Sequence, residues 1–250
     1  MEDINSVKLS ALGDSAIIIE FSKSIDLQTH HKVKALAAYL DEHPFPGMIE
    51  YITAFTTVTV FYDPLQVYNI DSQNRLNKNI SNYKSPYFIV ESIMKEILLS
   101  VENDINYKPR IVEIPVCYGG EFGPDLEYVA KHNRLTIEEV INIHSSGEYL
   151  VYMIGFAPGF PYLGGMSERI AAPRRQSPRL LIPAGTVGIA GKQTGVYPIG
   201  TPGGWQLIGR TPLALFRPKD DIPSLLRSGD IIKFKSISHD EYNTWKEEFM

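Results

Sequence analysis

The spacing of apolar residues changes character along the chain. Ser15 to Phe21 (SAIIIEF) and Thr53 to Tyr62 (TAFTTVTVFY) are runs of β-branched and aromatic residues that predict strands, the second stopped by Asp63-Pro64. Between them, His30 to Leu40 places Val33, Leu36, Ala37 and Leu40 at helical intervals. Pro86 opens a second helical pattern that continues to Val101, with Ile89, Ile93, Ile97 and Val101 on one face. The polar stretch Ile70 to Lys84 (IDSQNRLNKNISNYK) has little to bury and predicts a mobile loop. These elements predict a small α+β domain over residues 1–104, with Glu102 to Pro109 (ENDINYKP) as its boundary.

A second domain is expected over residues 105–250. Arg110 to Cys117 (RIVEIPVC) predicts a strand, and Gly123-Pro124-Asp125 a helix start with proline in the first helical position. Thr136-Ile137-Glu138-Glu139 is a capping box, which predicts a helix running to about His144 and ending before Gly147. From Tyr149 the helical period vanishes. Short apolar runs (YLVYMIGF, RLLIP, TVGIAG, GVYPI, WQLIG, LALF, DIIKF) separated by Gly and Pro predict a compact β-barrel or sandwich, so the fold class is α+β.

Composition adds a charge asymmetry. The 250 residues carry a formal net charge of -5, which argues against a protein that coats nucleic acid or an anionic membrane surface. Residues 1–105 have 8 basic and 14 acidic side chains, whereas Arg169 to Lys219 has eight basic residues and no acid. The same region is rich in turn formers, with 12 Gly and 9 Pro from Gly155 to Pro218. A single cysteine, Cys117, fits a reducing compartment, and no Cys/His spacing suggests zinc, so no metal is expected. Glu2 and Asp3 stand where a secretory signal needs positive charge, and no apolar run reaches the length of a membrane span, so the expected location is cytoplasmic.

Several chemistries are excluded by motif. Gly185, Gly188 and Gly191 repeat every three residues, so the Gly-x-Gly of a dinucleotide fingerprint is missing. Thr186 and Gln193 stand where a phosphate loop needs Gly and Ser or Thr, and neither a Gly-x-Ser-x-Gly elbow nor a His-Glu-x-x-His pair is present. His144, near a helix end, reads as a dipole-compatible residue and Cys117 as a packed one. Glu121 and Asp125 either line a site or are turn and first-turn acids.

The informative segment is Tyr152 to Thr211. Its aromatics Tyr152, Phe156, Phe160, Tyr162, Tyr197 and Trp205 alternate with turn residues and with Arg179, Gln193, Thr194 and Arg210. Glycines such as Gly185 and Gly204 let a ligand approach main-chain amides, and apolar walls with a few polar groups describe a small-molecule pocket. An acid-free basic stretch points to a small anionic substrate, because Arg suits a carboxylate or phosphate. The alternative is a barrel whose corners merely need Gly and Pro.

The motifs Gly155-Phe156-Ala157-Pro158-Gly159-Phe160-Pro161-Tyr162-Leu163, Ser177-Pro178-Arg179, Ile182 to Gly191, Gln193 to Pro198 and Pro202-Gly203-Gly204-Trp205 resemble the allophanate hydrolase subunit 1 family. Leu12-Gly13-Asp14-Ser15-Ala16, Pro44-Phe45-Pro46-Gly47 and Val112 to Leu126 extend the likeness over nearly the whole chain. Thr186 departs from a common Ser and keeps the hydroxyl. The resemblance implies a small α+β domain followed by a cyclophilin-like β-barrel, and an ATP-dependent 5-oxoprolinase that opens 5-oxoproline to glutamate with partner subunits A and C. ATP then acts at the level of the complex, without a clear cradle in this chain. On that basis Arg179 or Arg210 is expected to stabilise the substrate carboxylate or a phosphorylated intermediate, Gln193 and Thr194 to hydrogen-bond it, and Tyr197 and Trp205 to wall the site. Tyr152, Phe156, Phe160, Gly185 and Gly204 complete the expected substrate contacts. The resemblance also supports a different class of function, inhibition of a sensor histidine kinase by direct docking on its helical dimerisation domain. Prolyl isomerase activity would rest on fold analogy alone.

Overall fold

The computed structural model describes residues 7–69, 85–101 and 109–248. The expected loop Ile70 to Lys84 and most of the expected boundary, 102–108, lie outside the described residues. Contacts divide the chain into two compact units, Met1–Lys108 and Pro109–Met250.

The first unit is an antiparallel sheet backed by two helices. Strands β1 (Lys8–Ala11), β2 (Ala16–Glu20), β3 (Met48–Thr53) and β4 (Thr57–Tyr62) lie in the order β1-β2-β4-β3. Ile17 and Ile19 on β2 and Val58, Val60 and Tyr62 on β4 turn one face inward at the strand period. Against them pack Val33, Leu36 and Leu40 of helix α1 (Leu27–Glu42) and Ile89, Met94 and Ile97 of helix α2 (Pro86–Val101). Asp26 caps α1, its carboxylate accepting from the Thr29 amide at 2.8 Å. The run expected as one strand from Thr53 is divided: Thr53 ends β3, the Ala54 amide donates to the Thr57 carbonyl at 2.9 Å, and only then does β4 begin. Asp63 does end β4, because its Oδ1 accepts from the Leu65 and Gln66 amides and starts a short helical stretch over 64–69.

The second unit is the predicted barrel. Its strands are β5 (Ile111–Tyr118), β6 (Tyr149–Ile154), β7 (Pro161–Gly164), β8 (Arg179–Ile182), β9 (Thr186–Ala190), β10 (Gln193–Val196), β11 (Thr201–Gly203), β12 (Gln206–Arg210) and β13 (Ile231–Ile237). Seven form a sheet in the order β10-β9-β12-β5-β13-β6-β7, and its two end strands approach each other, so the sheet curls into a nearly closed barrel. β8 and β11 form a separate two-stranded ribbon. Ile114, Val116, Val187, Ile189, Val196, Ile208, Ile232 and Phe234 fill the core, joined by Leu126 and Val129 of helix α3 (Leu126–Asn133) and Val140 of helix α4 (Ile137–Ser145). The capping box on α4 is present, with Thr136 Oγ1 accepting from the Glu139 amide and Glu139 accepting from the Thr136 amide. The expected start of α3 differs: Pro124 precedes the helix, and Asp125 sits at the cap position without capping it. LALF contributes only an isolated bridge between Phe216 and Ser224. A final helix, α5 (His239–Glu248), lays Tyr242 against Cys117 and Ile237, which buries the free thiol and raises its pKa by desolvation. No helix among the described residues is long and apolar enough to cross a membrane.

Candidate functional site

The glycine spacing of the segment from Thr186 to Val196 has a geometric cause. β9 and β10 pair antiparallel with Gly188 opposite Gly195. Val187, Ile189 and Val196 point into the core, so alternation turns both glycines to the outer face of the barrel. A Cβ on Gly195 would come within 3.1 Å of Trp205 Cζ3, and one on Gly188 within 3.2 Å of Trp205 Cβ. The indole therefore lies across bare backbone. Phe160, Ile182, Tyr197 and Leu207 complete a buried cluster beside it, with Ala157, Tyr162 and Trp205 partly buried. Phe160 stands edge-on to Tyr197 at 6.0 Å and to Trp205 at 5.9 Å, the geometry favoured by opposed ring quadrupoles. Phe156 extends this wall to the surface: it meets Phe160 edge-on at 5.6 Å, is 74% exposed, and holds φ +68, a left-handed backbone that bulky residues rarely adopt.

A charged cluster borders the aromatic one. Asp125 is buried. Arg179 grips it with both terminal nitrogens, Nη1 to Oδ2 and Nη2 to Oδ1, each at 2.9 Å. Arg175 Nη1 donates to Oδ1 at 3.1 Å and the Leu207 amide to Oδ2 at 2.7 Å. The chain doubles the link, since the Asp125 amide donates to the Leu207 carbonyl at 2.9 Å and the Arg175 amide to the Gly204 carbonyl at 2.7 Å. Gln206 Nε2 adds a bond to the Pro173 carbonyl at 2.9 Å. Tyr197 lies close by; burial pushes its hydroxyl up to about 12, opposed by the Trp205 amide and by the positive Arg174 and Arg179.

The expected site residues separate into two groups. Phe156, Phe160, Tyr197, Gly204, Trp205 and Arg179 come together with this aromatic and charged cluster. Gln193, Thr194, Arg210 and Tyr152 stand elsewhere. Gln193 is exposed and follows the two-residue β9–β10 turn. Thr194 points into the core, where its hydroxyl donates to the Gly188 carbonyl and accepts from His144 Nε2 at 2.8 Å. Arg210 Nε donates to the Ala184 carbonyl at 2.8 Å. Gly185 meets the cluster through its backbone, its amide donating to the Tyr197 carbonyl at 2.7 Å, and at φ +80 it fits where a Cβ would lie 2.4 Å from the Thr211 carbonyl oxygen. Tyr152 is buried against Gly164 in the β6–β7 pair. His144 is not a charged dipole partner. It is wholly enclosed, accepts from the Tyr118 hydroxyl at Nδ1, and burial depresses its pKa to about 3, so it is neutral.

Sequence reasoning leaves Asp125 undecided and passes over Arg175. The available signal is electrostatic. Eight basic residues without an acid between them must find counter-charge elsewhere in the chain, and the acid beside Gly123-Pro124 supplies it for two of them. Among the described residues no group of three or more His, Cys, Asp or Glu is placed to hold a metal ion.

Residues 7–226 match the family described as "Carboxyltransferase domain, subdomain C and D", and the chain belongs to that family. Its relatives include B subunits of 5-oxoprolinase, as the allophanate hydrolase motifs implied. It is 60% identical over 241 residues to the 5-oxoprolinase B subunit of Bacillus subtilis (strain 168), covering 96% of this chain and 97% of that one. Identity to the 5-oxoprolinase B subunit of Escherichia coli O157:H7 is 40% over 223 residues, 89% of this chain and 93% of that one. The solved structure of TTHA0988 superposes with a TM-score of 0.70 at 32% identity over 89% of this chain, which spans 40% of the length of that longer one.

Proposed function

We propose that the chain serves in an ATP-dependent 5-oxoprolinase that opens 5-oxo-L-proline to L-glutamate together with partner subunits A and C. The observation that carries this reading is the 60% identity to a 5-oxoprolinase B subunit over nearly the full length of both chains. A lactam carbonyl is a poor electrophile; phosphorylation by ATP, at the level of the assembly, would activate it for attack by water. In this chain the wall formed by Phe160, Tyr197 and Trp205 supplies the apolar surface for the small ring, and the bordering arginines supply positive charge for an anionic substrate. Co-purification from the native cell followed by an ATP-dependent 5-oxoproline assay tests the reading. Recovery of the chain without partner subunits and without glutamate formation would sink it. Undiminished turnover by Arg179→Ala in the assembly would remove that residue from the site.

A second reading uses the same region differently. Phe156, Leu180 and Leu181 are large apolar side chains left exposed on this unit, surface of the kind that takes a protein segment. Direct inhibition of a sensor histidine kinase is tested by adding the purified chain in stoichiometric excess to kinase autophosphorylation, where an unchanged rate counts against it.

A further inference from the structure

Arg175 and Arg179 share one carboxylate but are held by it differently, one through a single bond and the other through two. A guanidinium presents two forks, one formed by its two terminal nitrogens and one by Nε with the terminal nitrogen on its side, Nη2. Arg179 spends the terminal fork, Nη1 and Nη2, on Asp125, so two bonds fix it on the acid, and its Nε–Nη2 edge belongs to the less accessible of the two side chains. Arg175 gives Asp125 only Nη1, so its Nε–Nη2 edge stays whole, and among the described residues nothing accepts from either nitrogen. That edge carries two parallel N–H bonds, the pattern that matches the two oxygens of a carboxylate.

Position and charge agree with this. Two guanidiniums on one carboxylate leave the cluster with net positive charge, and Arg174 adds more beside Tyr197. The Arg175 backbone is tied to Gly204 and Pro173 to Gln206, so this segment is anchored to the residues on either side of Trp205. Its side chain is 37% accessible, against 24% for Arg179 and 8% for Asp125. The buried acid and the inner arginine form a base, and the outer arginine, held by one bond, is the more accessible of the two.

We propose that Arg175 is the carboxylate-binding residue of this site and that Asp125 is its positioning residue, with Arg179 completing the support. The ligand class is a small carboxylate; on the oxoprolinase reading, on which this assignment rests, it is the carboxylate of 5-oxoproline. Arg179 is thereby moved from substrate contact to scaffold.

The test compares 5-oxoproline with 2-pyrrolidinone, the same lactam without the carboxylate, in the assembled enzyme. Arg175→Ala should raise KM for 5-oxoproline roughly tenfold or more with kcat changed far less, and leave any turnover of 2-pyrrolidinone at the wild-type level. Arg175→Lys, which keeps the charge and loses the fork, should recover only part of the loss. Asp125→Asn should raise KM in the wild-type background and add little in the Arg175→Ala background, a coupling that a purely structural role would not produce. An unchanged preference for 5-oxoproline in Arg175→Ala overturns the assignment. If the wild-type assembly turns over neither lactam, the oxoprolinase reading fails instead. The site is then judged on the full chain, by following the Trp205 indole resonance during titration with 5-oxoproline: saturable shifts lost in Arg175→Ala support it, and no shift or equal shifts overturn it.

Discussion

Gly188 faces Gly195 across β9 and β10, and the two leave a bare strip of sheet on which the Trp205 indole rests. A methyl group on Gly195 would stand 3.1 Å from the indole, closer than carbon atoms normally approach. Gly195→Ala should tilt Trp205 off the sheet and cost about 1 to 3 kcal/mol through overpacking. The near-ultraviolet circular dichroism of Trp205, read in a Trp245→Phe background, should change while the far-ultraviolet spectrum stays the same. An unaltered near-ultraviolet signal would mean that the strip is not what seats the ring.

The neutral His144 makes stability of the second unit depend on acid. Its folded-state pKa lies at about 3, below the ordinary 6.5, because burial disfavours the imidazolium. Below about pH 6.5 the unfolded chain therefore takes up a proton that the folded chain refuses, and stability falls as pH drops from 6.5 toward 3. Thermal melts of wild type and His144→Gln should converge over that window, the variant being less stable at neutral pH and flatter in acid. Parallel melting curves across the window would contradict this. His30 of the first unit, lowered to about 4 chiefly by burial, gives a similar slope and is common to both proteins, so the difference isolates His144.

Phe156 permits a comparison that separates backbone strain from side-chain contact. Phe156→Gly and Phe156→Ala both remove the exposed ring and its edge-on contact with Phe160, but only glycine is at ease at φ +68. The glycine variant should be more stable than the alanine variant by about 1 kcal/mol, the reverse of the usual order. Denaturant titration of the two proteins measures the difference. Equal midpoints would show that the backbone relaxes out of the left-handed region.

Gly123 is required by proximity rather than by its φ angle. A Cβ there would lie 2.1 Å from the Ile208 carbonyl oxygen and 2.7 Å from the Gly119 nitrogen, both backbone atoms that cannot swing away. Gly123→Ala should cost at least about 2 kcal/mol and displace Asp125, two residues on, from its arginines. Urea denaturation gives the energy, and a 5-oxoproline KM rising with it would show that the turn also seats the site.

The sequence was most legible where one local rule governs one element. Pro86 and the four-residue spacing of Ile89, Ile93 and Ile97 mark α2 correctly, and Thr136 with Glu139 marks the start of α4. It was least legible where a partner remote in the chain decides. Asp125 reads either as a first-turn acid or as a site residue, and 50 to 54 residues further on Arg175 and Arg179 claim its oxygens. Thr194 reads as a polar group of the pocket, whereas strand alternation sends it to His144 in the core and leaves its neighbour Gly195 beneath Trp205. The helix α5 gave little apolar signal, because it buries few side chains on the barrel, Tyr242 among them.

Strand β5 opens the second unit and β13 comes after every other strand in it, yet the two lie side by side, parallel, from Ile111↔Ile231 to Cys117↔Ile237. Such a pairing spans the whole unit in sequence, and β13 also joins β5 to β6 in the sheet. During synthesis β5 leaves the ribosome more than a hundred residues before its central neighbour, and the barrel cannot close until that neighbour arrives. Until then the edges of β5 and β6 that β13 will cover are open to any other extended chain, so this half of the protein is exposed to mispairing for most of its own translation.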